Sequence, residues 1–380
     1  MKQEFKAGNY KENSFENKKY KSFIPEEINK MFHWGGEKTP LLLEEVNRFL
    51  GELNTYSHFV PDVDFFIQMH VTNEAVKSSK IEGTKTQISD AVLPEKAISS
   101  EKRDDWQEVQ NYIEAMNYSI DRLEDLPVSL RLIKEIHKIL MQDVRGEDKR
   151  PGKIRETQNR IGGIDFETAA FVPPHPDEIS DLLSDLELFW HNDSLRIPVL
   201  VKIAIFHYQF ETIHPFLDGN GRVGRLLINL QLMERGILDK PTFYISDFFE
   251  RNREDYYQSL MDVRRNNDIN QWINFFLIAA KETAKKSRTT FEEIVDLRKE
   301  YERKIMKFGS QTELANQVLL HLFSDPAIEA KEIADDFDIA YNTANKLISR
   351  FEQAGILEEV TGKKRNRIFV MRDYLRLFDK

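Results

Sequence analysis

The chain has 380 residues, 41% hydrophobic and 11% aromatic, enough to bury a large core over two or three domains. Its formal net charge of −10 excludes a general affinity for nucleic acid or anionic membrane, leaving room only for local basic patches. With no cysteine, disulfides, thiolate metal sites and a cysteine nucleophile are excluded, as suits a reducing cytoplasm. Met1 to Tyr10 lacks the apolar core of a signal peptide, and no uncharged apolar run approaches membrane-spanning length. The expectation is a soluble, cytoplasmic protein without membrane partners.

Residues up to about Lys38 are polar with scattered Phe and Tyr, and read as an arm packed extended on something larger. From Pro40 to about Lys307, apolar residues recur every three or four positions. This spacing predicts amphipathic helices at 40–56, 61–82, 102–124, 127–143, 177–191, 197–213, 220–235, 251–265 and 269–306. Between Ile154 and Val172, two short runs flank Gly162-Gly163 and predict a hairpin, ended by Pro173-Pro174. Gly309 and Ser310 mark a boundary. Helices at 311–323, 328–336 and 341–354 then precede strand-like runs Leu357–Val360 and Arg367–Val370, the layout of a winged helix-turn-helix. That module carries ten Lys plus Arg against twelve Asp plus Glu, a net of −2, unfavourable for non-specific DNA affinity. A local patch remains: Lys363, Lys364, Arg365 and Arg367 on the wing, with Tyr341, Asn342, Thr343, Lys346 and Arg350 along the third helix. DNA binding, partner binding and homodimerisation are equally open for it. The expected divisions are 1–100, 101–308 and 309–380.

Helix 197–213 is apolar on nearly every face and should lie inside its domain, delivering His214 from a rigid element. Pro215 stops that helix, and Asp218-Gly-Asn-Gly221 turns into the next one, leaving the amides of Gly219 to Arg222 without intrahelical acceptors. Free amides at a helix N-terminus bind anions. Arg222 and Arg225, three apart, are expected to converge on the same phosphate oxygens. Asp218 beside a polyphosphate calls for a cation between them, the preferred setting of Mg2+. His214, titrating near neutrality, suits removal of a proton from an attacking hydroxyl. Gly219 to Gly224 also satisfies G-x-G-x-x-G, but a helix precedes it where a dinucleotide fold needs a strand.

The segment His214-Pro-Phe-Leu-Asp-Gly-Asn-Gly-Arg-Val-Gly-Arg225 resembles the signature of the Fic family, H-P-F-x-[DE]-G-N-G-R-x-x-R, at every specified position. Pro151–Gln158, Phe171–Pro174 and Arg253–Tyr257 look like its flanking blocks. The resemblance implies a mainly α fold: a Fic-type helical bundle with a small β-hairpin flap, here followed by the winged module. It implies AMP transfer from ATP to a Ser, Thr or Tyr hydroxyl of a target protein, with self-modification included. His214 is then the base, Asp218 the Mg2+ ligand and Phe216 the residue turned into the core. The amides of Gly219, Asn220 and Gly221, with Asn220 and Arg222, hold phosphates, Val223 and Gly224 complete the nucleotide loop, and Arg225 takes the γ-phosphate. Asn229 and Tyr257 are further candidates for nucleotide contact. Ile161, Gly162, Gly163 and Phe171 belong to the flap, which lays target backbone beside His214 by strand pairing. Another nucleotide donor, or removal of AMP, stays open within the same resemblance.

Helix 61–82 ends in Ser78-Ser-Lys-Ile-Glu82-Gly83, with Gly83 a suitable C-cap. Glu82 there faces the negative end of the helix dipole and requires a cationic partner. Ser78 and Glu82 share one face. The hexapeptide resembles the family's inhibitory motif [ST]-x-x-x-E-[GN], which implies that Glu82 pairs with Arg225 and displaces it from the γ-phosphate.

Overall fold

The computed structural model describes residues 4–15, 18–59, 63–142 and 149–379. The starts of the expected helix 61–82 and the end of 127–143 therefore fall in part outside the described residues. The expected arm is a two-stranded antiparallel hairpin, β1 (Gly8–Phe15) and β2 (Lys18–Pro25), in register from Gly8 opposite Pro25. Along β2, exposed Lys19 and Lys21 alternate with buried Tyr20 and Ser22, the period of a half-buried strand.

Among the described residues, eleven α-helices then build the body: α1 (Thr39–Phe59), α2 (Asp64–Glu82), α3 (Ile88–Ala91), α4 (Arg103–Arg122), α5 (Leu130–Leu140), α6 (Pro176–His191), α7 (Val199–Ile213), α8 (Asn220–Glu234), α9 (Ser246–Arg251), α10 (Arg253–Asn266) and α11 (Ile269–Ile305). In α7 every residue from Leu200 to Ile213 is buried, so its C-terminal end is anchored from all sides. The single helix expected at 251–265 is instead two, because Asn252 (φ −118°, ψ 41°) leaves the helical region between α9 and α10. Helix α1 lies along the 37-residue α11, and α2 packs against α4, α8 and α9.

The hairpin expected at 154–172 reduces to one pair, Ile161 opposite Phe171, with N–H to O distances of 2.8 and 3.2 Å. Its regularity is borrowed from β2: the Phe23 amide donates to Val172 O at 2.9 Å. Because neighbouring residues of an extended segment point their polar groups to opposite sides, Phe171 serves Ile161 and Val172 serves β2. The layer thus runs from Ile161 through 171–172 and β2 to β1.

The C-terminal part follows as α12 (Thr312–Ser324), β3 (Ala327–Glu329), α13 (Ala330–Asp336), α14 (Tyr341–Gln353), β4 (Glu358–Glu359), β5 (Ile368–Val370) and α15 (Arg372–Arg376), with strand order β3-β5-β4. Residues 328 and 329, expected to begin a helix, belong instead to β3, which pairs with β5, and α13 starts only behind the reciprocal capping of Glu329 and Glu332. Arg350, expected in the basic patch along the third helix, turns inward and donates to Phe308 O (2.9 Å) and Gln311 Oε1 (2.8 Å). This part docks on α2, where Phe66 meets Phe323 edge-on at 5.0 Å and His70 meets Phe378 at 5.2 Å. A contiguous core cluster runs from Ala7 to Phe378.

Candidate active site

His214 caps α7 in the left-handed region (φ 51°, ψ 61°), its amide on Phe210 O at 2.9 Å. A non-glycine residue holds that conformation only where its surroundings over-determine it. Here Pro215 follows, and Arg155 holds the carbonyls of both residues, its amide donating to Pro215 O and its Nε to His214 O, each at 2.9 Å. The His214 Nδ1 is buried and without a protein partner. Burial lowers the imidazole to about 4, with Arg155 and Arg264 acting the same way against Glu82, so the ring is a neutral base at pH 7.

Phe216 is fully buried and stacks on His137 at 3.7 Å and 5°. His137 accepts from the Gly152 amide (2.8 Å) at Nδ1, so its Nε2 carries the hydrogen and donates to Asp218 O (3.0 Å). Asn220 closes the loop: its Oδ1 accepts from the Phe216 amide (2.8 Å) and its Nδ2 donates to Phe216 O (2.9 Å). The side chain expected on phosphate is thus committed to the loop backbone. Gly219 (φ 75°) is the turn residue before α8, and a Cβ there would lie 2.8 Å from Met141 Sδ. Its amide donates to Asp218 Oδ1 at 2.7 Å, while the amides after it are the first of α8, which no carbonyl of the helix reaches.

The carboxylate of Glu82 stands over this helix start, where a Cβ on Gly221 would collide with Glu82 Oε1. From Arg225, 1% exposed, Nη2 donates to Glu82 Oε1 (2.6 Å) and Ser78 O (3.0 Å), and Nε donates to Ser78 Oγ (2.9 Å). Gly83 (φ 110°) ends α2 as a left-handed cap, its amide on Lys80 O. Burial would raise the Glu82 carboxyl, but the charge and hydrogen bond of Arg225, with Arg222 and His214 beyond, hold it below its ordinary value. A protein carboxylate thus sits where the chain offers an anion its amides and a buried arginine.

Arg222 and Arg225 do not converge. Arg222, 3% exposed, donates through Nη1 to Glu108 Oε2 at 2.8 Å, while its Nη2 lies 3.7 Å from Met141 Sδ and 4.0 Å from Asp218 Oδ1. Asp218 Oδ2 takes the Lys149 ammonium, and Lys149 and Arg222 hold its carboxyl low against the effect of burial. Burial raises Glu108, whose neighbours include Arg222, Asp218 and Lys149. Val223 lies in the core, and Gly224 O accepts from Nδ1 of buried His207, whose Nε2 meets the Tyr256 hydroxyl. Asn229, one turn beyond Arg225, is buried with both amide atoms unpartnered. Tyr257 is 39% exposed with the Arg253 guanidinium 5.8 Å above its ring. In the flap, Gly162 and Gly163 turn with positive φ, Phe171 is buried under the Arg264 guanidinium at 3.8 Å, and Phe166 stacks on Tyr20 at 4.6 Å. Glu108, Lys149, His137 and Tyr20 are site neighbours that no local pattern announces. Arg155 does lie within the block Pro151–Gln158.

Residues 127–232 match the Fic/DOC family model and residues 41–121 the Fic/DOC family N-terminal model. A probable protein adenylyltransferase of Aquifex aeolicus is 42% identical over 95 residues, 25% of this chain and 27% of that protein. A protein adenylyltransferase of Drosophila grimshawi is 29% identical over 189 residues, 49% of this chain and 36% of that protein. The chain therefore spans about a quarter to a third of the length of these curated relatives. Among solved structures, a Fic family protein of Desulfovibrio desulfuricans aligns with TM-score 0.56 at 19% identity, over 89% of this chain and 97% of that one, a likeness of fold.

Proposed function

This chain belongs to the Fic/DOC family, and we propose that it is a protein adenylyltransferase restrained by its own Glu82. The observation that carries the proposal is the placement of Glu82 on Arg225 and over Gly221, beside a neutral His214. A site that holds a carboxylate this way is built for an anion, and the names of the relatives point to ATP as its source. In this reading Glu82 withdraws, the α8 amides and Arg225 receive the triphosphate, and His214 takes the proton of a target hydroxyl lying along the flap at Ile161 to Phe171. The hydroxyl oxygen bonds to the α-phosphorus as the bond to the β-phosphate oxygen breaks, and diphosphate leaves.

Asp218 would hold Mg2+. A single carboxylate completed by phosphate oxygens suits that ion, and Asp218 already attracts the ammonium of Lys149. When bound, Mg2+ would neutralise charge on the phosphates. Asn229 and Tyr257 would flank the nucleotide. Residues 1–100 then carry the arm and inhibitory helix, 101–308 the catalytic domain and 309–380 a winged helix. A chain without cysteine suits the cytoplasm, where we place the reaction.

The test compares wild type, Glu82→Gly and His214→Ala with ATP labelled at the α-phosphate. Label should reach protein faster with Glu82→Gly and never with His214→Ala. Equal labelling in all three would reject the proposal.

A second reading concerns residues 309–380. Exposed Lys364 and Arg365, with Arg367, line a concavity together with Tyr341 and Asn345, which favours a nucleic-acid contact by this module. Binding to genomic DNA fragments should then weaken steeply with salt, by roughly one logarithmic unit of affinity per unit of log salt for each phosphate neutralised. Salt-insensitive retention would exclude it.

A further inference from the structure

We propose that Arg155 is a positioning residue of the transfer reaction, fixing the His214–Pro215 corner against both legs of the flap with a permanent positive charge beside the imidazole. The inference rests on reading His214 as the base. Arg155 is 2% exposed. Besides the two corner carbonyls, its Nη1 donates to Thr157 O (3.2 Å) on the first leg and its Nη2 to Pro174 O (2.5 Å) on the second. One side chain therefore spans the loop that delivers the base and the segment that would lay a target beside it. The β2 strand closes the far side through Phe23 on Val172, with Tyr20 on Phe166.

The three acceptors of the guanidinium, His214 O, Thr157 O and Pro174 O, are main-chain carbonyls, and among the described residues no carboxylate pairs with it. Burying an arginine without an anion is costly, and neutral donors could serve carbonyls. The retained charge therefore calls for a second reason, and His214 supplies it. The groups that bear on the imidazole are Arg155 at the flap base, Arg264 on α10, Glu82 on α2 and the Glu211 backbone on α7. Both arginines disfavour the imidazolium, and Glu82 favours it. Arg264 is further from a purely electrostatic role, being bonded to Thr212 Oγ1 (3.1 Å) and lying over Phe171. Once Glu82 withdraws, Arg155 remains, so release of the inhibitory contact leaves a neutral base held in the same left-handed corner.

The experiment uses the full chain carrying Glu82→Gly, with Arg155→Gln and Arg155→Lys added. Self-modification with α-labelled ATP gives kcat and KM, and histidine ring NMR, assigned with His214→Ala, gives the His214 titration midpoint without reference to activity. Arg155→Gln should lower kcat on the order of 10- to 100-fold while leaving KM for ATP nearly unchanged, because the corner and not the phosphate site is disturbed. Its His214 midpoint should rise. Arg155→Lys keeps the charge, so its midpoint should stay low while kcat falls. An unmoved midpoint in Arg155→Gln, or a rate that falls only with the folded fraction in both variants, would overturn the proposal. If Glu82→Gly alone transfers no label, the AMP-transfer reading fails, and the NMR midpoint still decides on Arg155.

Discussion

Replacing Glu82 by Gln isolates the charge of the inhibitory contact, since the amide keeps the shape and can still accept from Arg225. The wild-type bond is 2.6 Å between a carboxylate and a guanidinium that is 1% exposed. A hydrogen bond to a charged group contributes about 1.5–3 kcal/mol, a neutral one about 1 kcal/mol. Glu82 also loses about 0.3–1 kcal/mol by standing at a helix C-terminus, which offsets part of that gain. The difference between Glu and Gln is then about 0.6 kcal/mol at mid-range and at most about 1.7 kcal/mol, which raises the released fraction about 3-fold and at most roughly 20-fold. Initial rates of label transfer at sub-saturating ATP should rise by that factor in Glu82→Gln and further in Glu82→Gly, which removes the whole contact. Thermal unfolding offers a second view: without ATP Glu82→Gly leaves Arg225 buried with only Ser78 as partner and should melt lowest, Glu82→Gln leaves its charge without an anion and should melt between that variant and wild type, and added ATP should restore the loss. Wild-type rates in both variants, with melting unaffected by ATP, would refute the argument.

The rate of a Glu82→Gly enzyme should hold level as pH falls from 8 to about 5, because His214 titrates at about 4 and is already deprotonated over that range; an acid limb centred near 6.5 would contradict it. Gly219→Ala should lower both stability and rate, by about 1–2 kcal/mol in urea unfolding, since φ 75° is strained for alanine and its Cβ meets Met141 Sδ. His70→Phe should stabilise the fold by roughly 1–3 kcal/mol, because both ring nitrogens are buried without partners and the ring already stacks on Phe291 at 4.3 Å. The pH dependence gives its signature. Folded His70 stays neutral down to about 3, whereas the unfolded chain takes up that proton near its ordinary value of about 6.5, so wild type loses stability as pH falls through this window. Buried Glu74 and Glu211, raised to about 7, act in the opposite sense above about 4.3, and both are present in wild type and variant alike. The gain from His70→Phe should therefore widen toward acid, and a gain independent of pH would rule out the protonation argument.

Short-range physics made much of this protein legible before any coordinates. The buried character of α7, the stop at Pro215, the turn at Gly219 and the cap at Gly83 are properties of neighbouring residues, and they place His214 and Glu82 at helix ends. That Glu82 needs a cation follows from the helix dipole alone. Which cation stands there is a tertiary matter, because Glu82 and Arg225 are 143 residues apart. The same holds for Arg222, whose spacing from Arg225 suggests a shared anion; Glu108, 114 residues away on α4, instead draws it to the other side of the loop. Arg350 is another case, drawn inward by open carbonyl oxygen at Phe308 that no helical pattern reveals. The flap shows the limit most clearly: its glycines mark a turn, but one backbone pair is too little to make a sheet. Its order comes from β2 of an arm more than 130 residues earlier, joined by the main-chain hydrogen bond from Phe23 to Val172 and by Tyr20 stacked on Phe166, contacts that no local pattern reveals. Sequence by itself thus determined the local frame and the chemical kinds of residue at the site, while only the tertiary structure decided which charges meet, since pairing energy depends on distance in space and the chain encodes only distance along itself.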